Sequence, residues 1–254
     1  MEGHPNQPPT MLSLIPRLFQ RAPEPDTEAR QWVRAVTLWA RRQAVWAQPL
    51  GQAHLVLPIR EHFPGQADTR HGMAQIVFDA VCSHAGFADG PFRLAQPDDL
   101  LDNPVPMGSW GHTPRPESIP IPYDPRLVGE NEALIGHFAR EIALRLLPTS
   151  EEPAPSQEGN EGHVAELLAT QMGFGVMLAN TAFHVRVGGC GSCSAPSAER
   201  QASLGRDDLV YALALFCHHQ GIAPSRARTF LNKPLRPVFR QATRSLAQQA
   251  RQSA

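Results

Sequence analysis

Two stretches decide how this chain reads: Phe138-Ala-Arg-Glu-Ile-Ala-Leu-Arg-Leu-Leu147 and Glu161-Gly-His-Val-Ala-Glu-Leu-Leu-Ala-Thr-Gln-Met-Gly-Phe-Gly-Val-Met-Leu-Ala-Asn180. In both, apolar residues recur at the three- and four-residue spacing of a helix. The spacing predicts a first helix from Asn131 to about Leu147, stopped by Pro148, and a second from near Asn160 through Leu178. Each run buries a charge among apolar neighbours, Arg140 and Glu141 in one and Glu166 in the other. His137 and Glu141 stand four apart, His163 and Glu166 three apart, so each pair shares a helix face. Gly173 and Gly175 lie inside the second pattern, where glycine permits close approach of a neighbouring helix and not phosphate binding.

The two stretches resemble a poorly characterised bacterial group of zincin-type metallopeptidases. There a helix reading like L-A-H-E-L-A-H-x-L-L is followed by a second helix with an acidic ligand before L-L-A, then G-F-G and A-N-S. The likeness extends to Tyr211-Ala-Leu-Ala-Leu-Phe216 and Leu235-Arg-Pro-Val-Phe-Arg240, so it covers about the last half of the chain. In an H-E-x-x-H helix two histidines one turn apart grip zinc and the glutamate activates its water. Carried over by position, the resemblance puts the first histidine at Arg140, the vestigial catalytic glutamate at Glu141, the second histidine at Leu144 and the acidic ligand at Glu166. Arginine has no lone pair to give and leucine has no donor atom, so no zinc is expected there. Two placements of Arg140 stay open: its guanidinium satisfies the carboxylates in place of the metal, as a partly buried Arg140–Glu166 ion pair within about 4 Å, or it points outward and pairs locally. A displaced zinc site built on His137, Glu141, His163 and Glu166 is the alternative.

Outward from this pair, Asp26 caps a helix over 27–47 with Trp32, Val33, Val36, Trp39, Ala40 and Val45 inward. His54 to Pro58 reads as a short strand, Met73 to His84 as a helix with Ile76, Val77, Ala80 and Val81 inward, and Ser118 to Tyr123 as an extended segment. The alternating prolines of the last confine it to a sheet edge or to polyproline geometry. The acidic stretch 149–159 is a loop, and helices follow at 207–220, 224–231 and 234–249. The fold class expected is α+β, a mainly helical zincin-like single domain over 28–254 with a few short strands in its N-terminal part. Residues 1–27, rich in proline, read as a flexible arm.

With 254 residues and 42% hydrophobic content, the chain can bury one substantial core. No stretch has the composition of a signal peptide or a membrane span, so a cytoplasmic protein without a membrane partner is expected. The net charge of -1 conceals a C-terminal region, from Gly221 onward, with basic residues at 226, 228, 233, 236, 240, 244 and 251 and no acidic ones. That region reads either as a solvated helix face or as a surface for nucleic acid or an acidic protein. Cys190-Gly-Ser-Cys193 is a lone C-x-x-C, open to three readings: free thiols, a disulfide or redox pair, or zinc completed by His184, Cys82 or Cys217. His112, His184, His218 and His219 read as surface or packed histidines. Dinucleotide, phosphate-loop and nucleophile-elbow motifs are missing. The leading functional expectation is a catalytically inactive zincin-like homologue that binds or regulates. A metal-dependent hydrolase with the displaced site and an interaction module using the basic C-terminal helix are the alternatives.

Overall fold

A computed structural model of the chain describes residues 27–95, 118–182, 184–186, 197–199 and 202–252. Residues 1–26 of the expected arm, with Cys190, Cys193 and His112, lie outside these residues, and Thr27 opens the first helix. The described part is mainly helical, with two small two-stranded sheets.

Helix α1 (Thr27–Arg42) buries Val33, Val36, Trp39 and Ala40. It ends five residues earlier than the pattern predicts, because Gln43 takes an extended backbone conformation. The Gln43 side chain is buried, donates to Trp39 O at 3.2 Å, and accepts from the N–H groups of Glu151 and Glu152 at 2.8 and 3.3 Å. Polar satisfaction of a buried amide thus overrides the helical pattern. Trp46 turns into the core, Val45 is left 49% exposed, and a short helix α2 (Ala47–Gly51) follows. Three tryptophans spaced seven apart tie this layer to the acidic loop: Trp32, Trp39 and Trp46 donate their indole N–H to Pro155 O, Glu152 O and Thr149 Oγ1.

The segment His54 to Pro58 forms no strand and pairs with none among the described residues. Leu55, Val56 and Leu57 are buried, and the Val56 N–H donates to Gly173 O at 3.1 Å. Helix α3 (Arg70–His84) starts three residues before the predicted point, capped by Thr69, which accepts from the Gly72 N–H. It buries Ala74, Val77, Phe78, Val81 and Cys82, whereas Ile76 and Ala80 are only half-buried. Strand β1 (Phe92–Leu94) pairs in parallel with β2 (Ile119–Ile121), Arg93 opposite Pro120, so the proline stretch does occupy a sheet edge.

Helix α4 (Asn131–Leu146) and helix α5 (Glu161–Ala169) pack against each other and carry the charged positions. The second predicted helix is not continuous. Residues Thr170–Phe174 form a π-helical turn in which Gly173 has φ 104°, and helix α6 (Gly175–Asn180) resumes beyond it. A Cβ on Gly173 would lie 2.1 Å from the carbonyl oxygen of His54, so only glycine admits the 53–57 segment here. Strands β3 (His184–Arg186) and β4 (Ser197–Glu199) pair antiparallel. Helix α7 (Arg206–His219) runs through the core with Leu209 to Cys217 buried, and α8 (Pro224–Phe230) and α9 (Leu235–Gln252) complete the chain. α9 lies on α7 through Leu235, Phe239, Ala242 and Leu246, one helical stripe. Side chains from α1 to α9 form one continuous core. No described helix is long and apolar enough to cross a membrane.

Candidate functional site

The centre of the α4–α5 pair is Glu166. Its side chain is 1% exposed, and a carboxylate so placed needs hydrogen-bond donors or a cation. The donors come from the backbone: Ser203 N–H donates to Oε1 at 2.6 Å and Leu204 N–H to Oε2 at 2.7 Å. Arg140, reaching over from α4, places Nε 3.6 Å from Oε1, inside ion-pair reach but beyond a hydrogen bond. Its Nη1 lies 3.4 Å from Glu141 Oε1 and its Nη2 donates to Ser203 Oγ at 3.4 Å. Gly162 leaves the space for this approach, since a Cβ there would meet Ser203 Oγ at 2.7 Å and Arg140 Nη2 at 3.0 Å. Arg140 therefore spans both carboxylates, and backbone N–H groups supply the shorter contacts to Glu166. Burial raises the Glu166 carboxyl above its ordinary range, while the two backbone donors, Arg140 and His163 pull it back.

Glu141 is held differently. Its Oε2 pairs with Arg145 Nη1 at 2.5 Å, one turn along α4, and the same nitrogen donates to the Glu141 carbonyl at 3.1 Å. Leu144 packs half-buried against the core and offers no ligand atom.

The four residues of the displaced zinc site do not assemble. His137 shares a hydrogen bond at 2.8 Å with the carbonyl oxygen of Pro122, just past β2, and its ring leans on Phe138. His163 faces Trp32 edge-on, ring centres 6.5 Å apart, with Nδ1 buried and without a hydrogen-bond partner among the described residues. Among the described residues no three His, Cys, Asp or Glu side chains converge to hold a metal ion. Cys82 and Cys217 are buried thiols pushed up to about 12, in both cases chiefly by burial and for Cys82 also by Asp79, which disfavours the thiolate. A cleft of about 600 Å3 opens beside the locus, lined by Glu28, Trp32, Pro155, Asn160, His163 and Leu204. Leu204 and His163 connect its wall to Glu166.

Sequence reasoning misses two polar assemblies. The Ser203 and Leu204 donors are backbone groups, which no side-chain pattern announces. The second is a histidine trio at the end of α3, where His54, His62 and His84 have ring centres 5.1 to 5.9 Å apart although they are separate in the chain. His218 is exposed at the end of α7. For His219, burial first, and then Arg41, His218 and Arg34, hold the imidazole below its ordinary range. Comparison with known protein families, with curated proteins and with solved structures returns no match for this chain.

Proposed function

We propose that this chain is a catalytically inactive, zincin-like protein that acts by binding. The observation that carries the reading is Arg140. At the position where the resemblance seats a metal-binding histidine, a guanidinium spans Glu141 and Glu166. A fixed positive charge there repels a metal ion, and backbone N–H groups already occupy both oxygens of the carboxylate that would be its ligand. The cleft beside this locus, with Trp32 and His163 in its wall, is where a partner or small ligand would enter. A cytoplasmic setting and a single domain over 28–254 belong to the same proposal.

Metal analysis of protein purified without added metal tests it. Less than stoichiometric zinc at this locus is expected. Stoichiometric metal that survives the double change Cys190→Ser and Cys193→Ser but is lost with Glu166→Gln would overturn it. A second reading draws on α9, where Arg240, Arg244 and Arg251 stand exposed on the side away from the buried stripe. There the chain would meet nucleic acid or an acidic protein, with affinity falling steeply as salt is raised. A flat salt dependence, or no binding at low salt, removes that reading.

A further inference from the structure

The histidine trio has a defined proton arrangement. The carbonyl oxygen of His62 can only accept, so the bond of 2.8 Å between it and His84 Nε2 places a proton on Nε2, and in the neutral tautomer that fits this contact His84 Nδ1 is bare. His54 Nε2, 3.1 Å from that bare nitrogen, must then be the donor. His62 Nδ1 accepts from the Leu57 N–H at 2.9 Å, so it too is bare. In this network each inter-residue bond uses one donor and one acceptor.

A proton added to the trio acts differently at each ring. On His54 it sits on Nδ1 and keeps the bond to His84. On His84 it can be shared, if His54 exchanges its tautomer. On His62 it lands on the nitrogen that receives the Leu57 N–H and sets two donors against each other. His62 is the one ring that loses a backbone contact outright. That contact belongs to the 53–63 segment, whose Leu55, Val56 and Leu57 are buried and whose Val56 N–H holds the π-turn at Gly173.

We propose that His62 is the proton-sensitive pin of a latch: when it takes up a proton the 53–63 segment releases from Gly173 and uncovers the turn that follows the Glu166 helix. The surroundings oppose a positive charge. His84 on α3, His54 and Arg226 on α8 all face His62 and disfavour its charged form, and Glu61 beside it is the one group in favour. His54 meets the same opposition from His84 and Arg226. Burial first, and then these neighbours, hold both imidazoles below their ordinary value of 6.5. The sign follows: above pH 6.5 the closed latch is undiminished, and as pH falls from 6.5 toward the lower closed-state value the open segment binds the proton first. The latch is independent of the proposed binding role and stands if that fails.

Amide hydrogen exchange on the full chain tests the proposal, with each rate corrected for the intrinsic effect of pH. Protection of the Val56 and Leu57 amides should fall about five- to tenfold between roughly pH 7.5 and pH 5.5, the span over which one such proton is taken up. The Leu213 amide in α7 should hold its protection. His62→Asn puts a carbonyl oxygen, which does not titrate, where Nδ1 accepts, and should shrink the pH dependence at Leu57 to what His54 alone contributes. Equal protection at the two pH values, or an undiminished pH dependence in His62→Asn, overturns the proposal. Should that variant fold poorly, the wild-type chain still decides: an imidazole of His62 titrating at or above 6.5 by NMR is incompatible with the latch.

Discussion

Glu166 and His62 hold loops in the same way and differ in what can undo them. Each is a side chain that accepts from the backbone of a segment with no regular structure: Glu166 from Ser203 and Leu204, His62 from Leu57. Both segments bring apolar residues into the core, Leu204 in one and Leu55 to Leu57 in the other. Glu166 makes two contacts of 2.6 and 2.7 Å and has Arg140 behind it. His62 makes one of 2.9 Å and stands among histidines and Arg226. A carboxylate between donors and a cation is a fixture, whereas an imidazole among potential cations is conditional.

The largest expected effect lies where the conditional segment meets the helix of the fixed one. Gly173→Ala forces a Cβ against the His54 carbonyl at a left-handed backbone position, and should cost about 3 kcal/mol or more in denaturant unfolding. A loss under about 1 kcal/mol would mean that the 53–57 segment is not seated on the π-turn. Next comes Glu166→Gln. The amide has one oxygen for two backbone donors and turns its own NH2 toward the other, leaving a buried N–H unmet at about 2–3 kcal/mol. Glu141→Gln keeps an oxygen for Arg145 and loses only the charge of that pair, nearer the surface, and should cost about 1 kcal/mol. Equal losses for the two glutamates would end the distinction between them.

The two anchors also tilt stability with pH in opposite directions. Glu166, raised above 4.5 by burial, contributes stability that is whole below 4.5 and is lost as pH climbs through its higher folded value. His62, lowered from 6.5, gives the reverse slope: stability is lost as pH falls from 6.5 to its folded value. Unfolding followed across pH should show the first slope vanish in Glu166→Gln and the second shrink in His62→Asn. If neither slope changes, these groups do not govern the pH dependence.

What the sequence made legible was what neighbours in the chain decide. The start of α4 at Asn131, its end before Pro148 and the proline-bearing strand β2 follow from periodicity and from backbone groups that proline cannot supply. The early end of α1 at Gln43 was not legible, because it depends on N–H groups more than a hundred residues away. The helical pattern around Gly173 predicts close approach of a helix, whereas its left-handed turn answers to the His54 carbonyl of a non-helical segment, again a distant group. One signal was there to find: Trp32, Trp39 and Trp46 recur at a spacing of seven and bind the acidic loop in sequence. At the candidate site the pairing of Arg140 with Glu166 could be reasoned from charge, but its rank below the backbone donors could not.

That rank sets the smallest prediction. If Arg140 were the main partner of Glu166, removing it would strand a buried charge at about 3–5 kcal/mol. Here Arg140→Met leaves both oxygens of Glu166 on backbone N–H groups, and the lost Nε contact is 3.6 Å long with the arginine side chain 29% exposed. A cost of about 1 kcal/mol is therefore expected. In a double-mutant cycle with Glu166→Gln, the coupling should likewise be near 1 kcal/mol, because the neutral amide already lacks the charge that Arg140 meets. Coupling above about 3 kcal/mol would put the arginine first and make the backbone contacts secondary. Strict additivity would mean that Arg140 is held by Glu141 and Ser203 alone, and that Glu166 is a structural anchor with no tie to the neighbouring helix.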